Sequence, residues 1–202
     1  MKEKDRAVHV IGLTGSMGSG KSTAAGLLSG CMPVLDLDEV NRSLLLPAGR
    51  GTELLSQLSW VPVQSDGTVD RKELAARMFQ DPDRRKQAES ILHPLLWEAM
   101  DSWIGQQHGF CAVEVPLLFE TGSQERFDEI WCVTCSEATA LQRLREGRGY
   151  AEQEARQRLA CQYPAADKAA ASNVVLCNDG DPEDLKSQVL AAVQRLEKPD
   201  EQ

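Results

Sequence analysis

Short apolar runs and longer amphipathic stretches alternate along most of the chain. The apolar runs fall at 8–14, 33–36, 110–115, 129–134 and 174–177, each of strand length. The first, third and fifth read as the most buried. Between them, helix-start signals recur. Asp70 stands three residues before Glu73 as in a capping box, Ser136 precedes Glu137, and Asp181-Pro182-Glu183 places proline at a first helical position. Strands alternating with helices predict an α/β fold with a mostly parallel sheet. The segment 37–109 is far longer than one crossover helix requires. It contains helical periodicity over 71–79 and 82–107, so it predicts a helical insertion with a role of its own.

Composition narrows the class. A chain of 202 residues, 42% hydrophobic and 26% charged, lies in the range of a folded domain and excludes a disordered tail. Lys and Arg number 22 against 31 Asp and Glu, and the resulting net charge of −9 argues against a nucleic-acid partner, whose phosphates it would repel. No run of about 18 apolar residues offers a membrane span. The N-terminal lead from Met1 to Arg6 opens onto an apolar stretch too short for a signal peptide. The expectation is a soluble, cytoplasmic protein with no membrane partner; nothing in these patterns fixes an oligomeric state. The scattered cysteines at 31, 111, 132, 135, 161 and 177 fit a reducing compartment. Cys132 and Cys135 have C-x-x-C spacing but no second ligand pair, so they read as ordinary cysteines at a strand end.

One motif carries strong chemistry. Gly15-Ser16-Met17-Gly18-Ser19-Gly20-Lys21-Ser22 is G-x-x-x-x-G-K-S, directly after an apolar run and directly before a helical stretch. The glycines permit turns that a Cβ would obstruct and bring successive N–H groups toward one point, where the following helix adds its positive end. Lys21 then reaches the β- and γ-phosphates of a nucleoside triphosphate, Ser22 supplies an oxygen to Mg²⁺, and Thr23 lies near the α-phosphate. A nucleoside triphosphate and Mg²⁺ are the implied ligands.

Two further features bear on what is done with the phosphate. Asp36 and Asp38 end the second apolar run, and on an extended strand they would share a side and serve metal and acceptor together. Asp38 is the candidate base for an acceptor hydroxyl, and the same pair read otherwise would cap a helix starting near Glu39. Glu114, near the end of the third run, is a candidate acid for the metal, or else an edge-facing partner of an arginine. From 141 to 168 the chain turns basic, with Arg143, Arg145, Arg148, Arg156, Arg158 and Lys168. Glu146, Glu152 and Glu154 also allow a solvated, ion-paired helical face there.

Taken in order, these pieces resemble the dephospho-coenzyme A kinase family. They are the phosphate-binding loop, Leu35-Asp36-Leu37-Asp38, Asp66-Gly67-Thr68-Val69-Asp70-Arg71, Leu92-His93-Pro94, Val115-Pro116-Leu117-Leu118-Phe119-Glu120, Gln162, and Asn178-Asp179-Gly180. The resemblance spans nearly the whole chain. It implies a three-layer P-loop NTPase fold with a five-stranded parallel sheet, a helical acceptor-binding insertion and a small lid. In this chain the core would be 7–48, 108–140 and 169–198, the acceptor side 49–107 and the lid 141–168, within one domain. The implied reaction is transfer of the ATP γ-phosphate to the 3′-hydroxyl of dephospho-CoA. By resemblance Asp38 is the base and Asp36 belongs to the metal or acceptor shell. Arg42, His93, Pro116, Leu118 and Glu120 would face the acceptor, and Arg143 and Arg148 would close on the ATP phosphates. Ser172 stands where members usually carry Asp, and Glu114 where Asp is common. The residues themselves also admit another nucleoside or nucleoside-monophosphate kinase, or a regulatory nucleotide-binding module.

Overall fold

A strand buried at seven of its eight positions has to lie inside a sheet covered on both faces, and β1 (Val8–Gly15) is such a strand. In the computed structural model, which describes residues 8–197, β1 is the central member of a five-stranded sheet ordered β2-β3-β1-β4-β5. The other strands are β2 (Val34–Asp36), β3 (Gly109–Glu114), β4 (Glu129–Thr134) and β5 (Val174–Cys177). The pairs β1–β3, β1–β4 and β4–β5 run parallel. The N-terminal lead and the tail from Pro199 lie outside the described residues.

The helices follow the signals in the sequence. They are α1 (Lys21–Leu28), α2 (Leu37–Leu44), α3 (Arg50–Leu55), α4 (Arg71–Gln80), α5 (Pro82–Ile104), α6 (Glu137–Arg148), α7 (Glu152–Ala160), α8 (Ala165–Ala170) and α9 (Pro182–Glu197). Asp70 accepts from the Glu73 N–H, and Ser136 from the Thr139 N–H, so both caps form where expected. One core joins Ile11, Leu13, Trp131 and Val133 of the sheet to Ala24 and Leu28 of α1 and to Leu185 and Val189 of α9. Residues one step out of phase on the strands face the other way. Cys132, between Trp131 and Val133, lies on the side that α8 covers, near Lys168. Helices on both faces of a parallel sheet make a three-layer α/β architecture.

One burial expectation fails. β5 is an edge strand with only Leu176 buried, whereas four of the six residues of β4 are buried. Run composition is similar for an edge and an interior strand, and strand order decides between them.

Chain contacts divide the molecule into two units, one formed by residues up to Leu35 and from Gln107 onward, the other by Asp36–Gln106. The second has its own core of Leu45, Leu55, Val61, Val69, Leu74, Ala88 and Leu92. Around Asp66 and Gly67 the chain reverses, Gln64 N–H donates to the Thr68 carbonyl, and Val63 bridges Val69. The Asp66–Asp70 motif is thus a turn followed by a helix cap. α5 runs through Pro94 without ending. Pro94 is exposed there, so the helix carbonyl left without an N–H partner can be met by water.

Candidate active site

Parallel strands deliver their carboxyl ends to one edge, and β1 leaves that edge with β3 on one side and β4 on the other. This is the switch point where α/β sheets bind ligands. The loop from Gly15 to Gly20 leaves β1 there and enters α1, whose first turn holds no acidic residue to occupy its positive end. Gly20 shows why glycine is required: its φ is 93°, and an added Cβ would lie 2.0 Å from the Asn178 amide nitrogen. Asn178 uses that nitrogen to donate to the Ser19 carbonyl at 2.7 Å. Arg143 Nη1 lies 3.3 Å from the same carbonyl and 3.5 Å from that of Gly18. The Met17 N–H donates to Gln162 Oε1 at 2.8 Å, and Ser16 accepts from the Ser19 N–H at 3.1 Å.

Glu114 is the organising acid. It pairs in register with Leu13 of β1, two residues before the loop begins. Its Oε1 accepts from Lys21 Nζ at 2.6 Å and from Ser22 Oγ at 3.0 Å. The Lys21 and Glu114 side chains are 13% and 7% exposed, so this pair is shielded from solvent. The partner is therefore the P-loop lysine and not an arginine. A Ser22 hydroxyl that donates to a carboxylate turns its lone pairs outward, which suits a hard cation. Among the described residues no three acidic, His or Cys side chains form a metal cage.

The basic stretch divides. Arg156 pairs with Glu152 and Glu137, Arg158 pairs with Glu154 and lies over Tyr150, and Arg145 lies 3.8 Å from Glu152. These form the solvated, ion-paired face. Arg143 instead reaches the P-loop, and Arg148 is exposed in the last turn of α6. Lys168 is fully buried 2.8 Å from Glu120 Oε1, so it is no part of an open cationic surface. A cavity of about 280 Å³ lined by Ser16, Ser19, Cys135, Glu137, Arg156 and Tyr163 lies beside the loop, and neither Lys21 nor Ser22 lines it.

Two expected acceptor-side residues are committed elsewhere. Leu118 has no exposed surface and packs where a Gly12 Cβ would meet it at 2.9 Å, so it is a core residue. Glu120 Oε1 accepts from the Tyr163 N–H at 2.9 Å as well as facing Lys168. Arg42 pairs with Glu39 on its own helix. Pro116 is half-buried after the end of β3, and His93 lies in α5 with its ring 6.4 Å from that of Trp97.

The reading of Asp36 and Asp38 as two residues of one extended strand is also corrected. The strand ends at Asp36, whose Oδ1 accepts from the Asp38 and Glu39 N–H groups at 2.8 and 3.3 Å, and Asp38 lies in the first turn of α2. The helix-cap alternative holds for Asp36, and its capping oxygen is bound to the backbone. The C-x-x-C pair is likewise ordinary: burial pushes the Cys132 thiol up to about 11, and burial also raises that of Cys135.

Relatedness to known proteins decides the family. A family model described as dephospho-CoA kinase matches residues 9–184. The chain belongs to the dephospho-CoA kinase family. It is 37% identical to the dephospho-CoA kinase of Gloeobacter violaceus over 189 residues, covering 93% of this chain and 92% of that protein. With the dephospho-CoA kinase of Shouchella clausii it shares 36% identity, covering 91% and 96%. The crystal structure of TT1252 from Thermus thermophilus superposes with a TM-score of 0.85 at 32% identity, covering 96% of this chain and all of that one. The dephospho-CoA kinase from Campylobacter jejuni, at 21% identity and a TM-score of 0.66 over 94% and 97% of the two chains, shares the fold. Members of this family are ATP-dependent kinases, and so is this chain. Among its described residues no helix is long and apolar enough to cross a membrane.

Gln162, Asn178 and Lys168 have structural roles that the sequence did not assign to them. Gln162 and Asn178 were visible only as family positions, and no local pattern names a partner 145 or 159 residues away.

Proposed function

We propose that the chain transfers the γ-phosphate of ATP to the ribose 3′-hydroxyl of dephospho-CoA, giving coenzyme A and ADP, in the cytoplasm and without a nucleic-acid or membrane partner. The carrying observation is the convergence of Lys21 and Ser22 on Glu114 at the mouth of a P-loop, in a chain of this family.

In this reading, backbone N–H groups of the loop and the N-terminus of α1 hold the phosphates, and Lys21 leaves Glu114 to meet the β- and γ-oxygens. Ser22 and Glu114 would hold Mg²⁺, Glu114 through water. The ion supplies charge neutralisation on the phosphates. Arg143, already beside the loop, stabilises the transferring group with Arg148. Asp38 accepts the proton of the acceptor hydroxyl as its oxygen bonds to the γ-phosphorus, and the bridging oxygen departs with ADP. Asp36 contributes by capping the helix that carries Asp38. Segment 49–107 serves the acceptor and segment 141–168 the lid, with Arg42, His93 and Pro116 retained as acceptor-side candidates.

Incubation with Mg·ATP and dephospho-CoA, followed by mass spectrometry, tests the reading. A product heavier by one phosphoryl group and identical to authentic coenzyme A supports it; ADP release without that product overturns it.

A further inference from the structure

The junction between α7 and α8 holds two distant loops with adjacent residues. Gln162 Oε1 accepts from the Met17 N–H at 2.8 Å, at the outer arm of the P-loop. The next residue, Tyr163, donates its N–H to Glu120 at 2.9 Å, and its ring stacks on Phe119 with centroids 5.7 Å apart at 17°. Lys168, without exposed surface, faces the same Glu120 oxygen. A buried ion pair contributes little net stability because desolvation offsets attraction, but it fixes the geometry of the segments it joins. Here it anchors the junction from behind, and Gln162 extends from that anchor to the loop.

We propose that Gln162 is a positioning residue that sets the P-loop's outer arm in its phosphate-binding shape before nucleotide arrives. The loop is then braced by Glu114 at Lys21 and Ser22, by Asn178 at Ser19 and by Gln162 at Met17. Met17 also packs its side chain against Leu141, Leu144 and Ala155 of α6 and α7, so the same arm is fixed through both main chain and side chain. A loop held in this way binds phosphate without first having to become ordered. Without Gln162, the partly buried Met17 N–H loses its acceptor, and nucleotide binding has to order the arm.

The inference rests on the loop being a nucleotide site but not on the identity of the acceptor. It is tested by titrating ADP calorimetrically with no acceptor present, so its failure is distinguishable from failure of the dephospho-CoA assignment. Gln162→Met keeps the side chain's length and removes the accepting oxygen. The expected result is a Kd for ADP raised about fivefold, a melting temperature lowered by only about 2–4 °C, and faster hydrogen exchange at the Met17 amide, with the Ser19 amide still protected by Ser16. Should Gln162→Met fold poorly, Gln162→Asn, with the same amide one methylene shorter, should show the same pairing of faster Met17 exchange with weaker ADP binding. Faster exchange at Met17 with unaltered ADP affinity, or weaker ADP binding with Met17 still protected, overturns the proposal.

Discussion

Lys21 Nζ and Glu114 Oε1 lie 2.6 Å apart, with the Ser22 hydroxyl sharing the same oxygen. The pair joins the first residue of α1 to the last residue of β3. One carboxylate thereby positions both the cation proposed to meet the phosphates and the hydroxyl proposed for the metal.

Replacing Glu114 with Gln keeps the size and one accepting oxygen but removes the charge. Turnover is expected to fall about 10²-fold, with a higher Mg²⁺ concentration needed for half-maximal rate. Steady-state rates across a Mg²⁺ series check this. An unchanged Mg²⁺ requirement would remove Glu114 from the metal's surroundings.

Asp38→Asn removes the proposed base and leaves the Asp36 cap in place. Turnover should fall about 10²-fold or more while ADP binding is retained, because the loop residues are untouched. Turnover equal to wild type would sink the assignment.

Arg143 is already against the P-loop, whereas Arg148 is exposed at the end of α6. Arg143→Met should lower kcat by about 10²-fold or more, with KM for the acceptor little changed. Arg148→Met should also act on rate and leave acceptor affinity alone. A loss confined to acceptor KM in either variant would place that arginine on the other substrate.

Asp179 joins the chain after β5 to the start of α6. Its carboxylate is held below the usual range chiefly by the Ser136 N–H, with the Thr139 and Ser136 hydroxyls adding to this. A depressed folded pKa stabilises the fold above the unfolded value of about 3.9 and loses that stabilisation as pH falls through the folded one. Asp179→Asn should therefore melt below wild type at pH 7, and the gap should close in acid below about pH 4. A gap independent of pH would contradict the account.

Burial pushes the thiols of Cys111 and Cys132 up to about 11, whereas Cys31, Cys161 and Cys177 are exposed. Brief alkylation of the native protein near pH 8 should label the exposed three and spare the buried two. Peptide mass mapping reads this directly, and early labelling at Cys132 would show that the sheet face under α8 opens readily.

What the sequence disclosed was mostly local. The runs at 129–134 and 174–177 match β4 and β5 to the residue, and Asp70, Ser136 and Pro182 start helices as their chemistry dictates. The P-loop was equally legible, since its glycines and Lys-Ser are adjacent in sequence. Asp36 was misread because a carboxylate ending a strand and one capping the next helix occupy the same position, and Leu37 had already begun α2. Leu118 and Lys168 show the other limit. An apolar residue in a motif and a lysine in a basic run look like surface chemistry until the fold places one under Gly12 and the other, buried, against Glu120.

The central claim is tested most directly by following ADP release from Mg·ATP with dephospho-CoA, adenosine, AMP, CMP or water alone, and identifying each product by mass. The account predicts turnover with dephospho-CoA far above the others and a product phosphorylated at the 3′-hydroxyl. Preferred turnover of AMP, CMP or adenosine, or release of ADP with water alone, would contradict it.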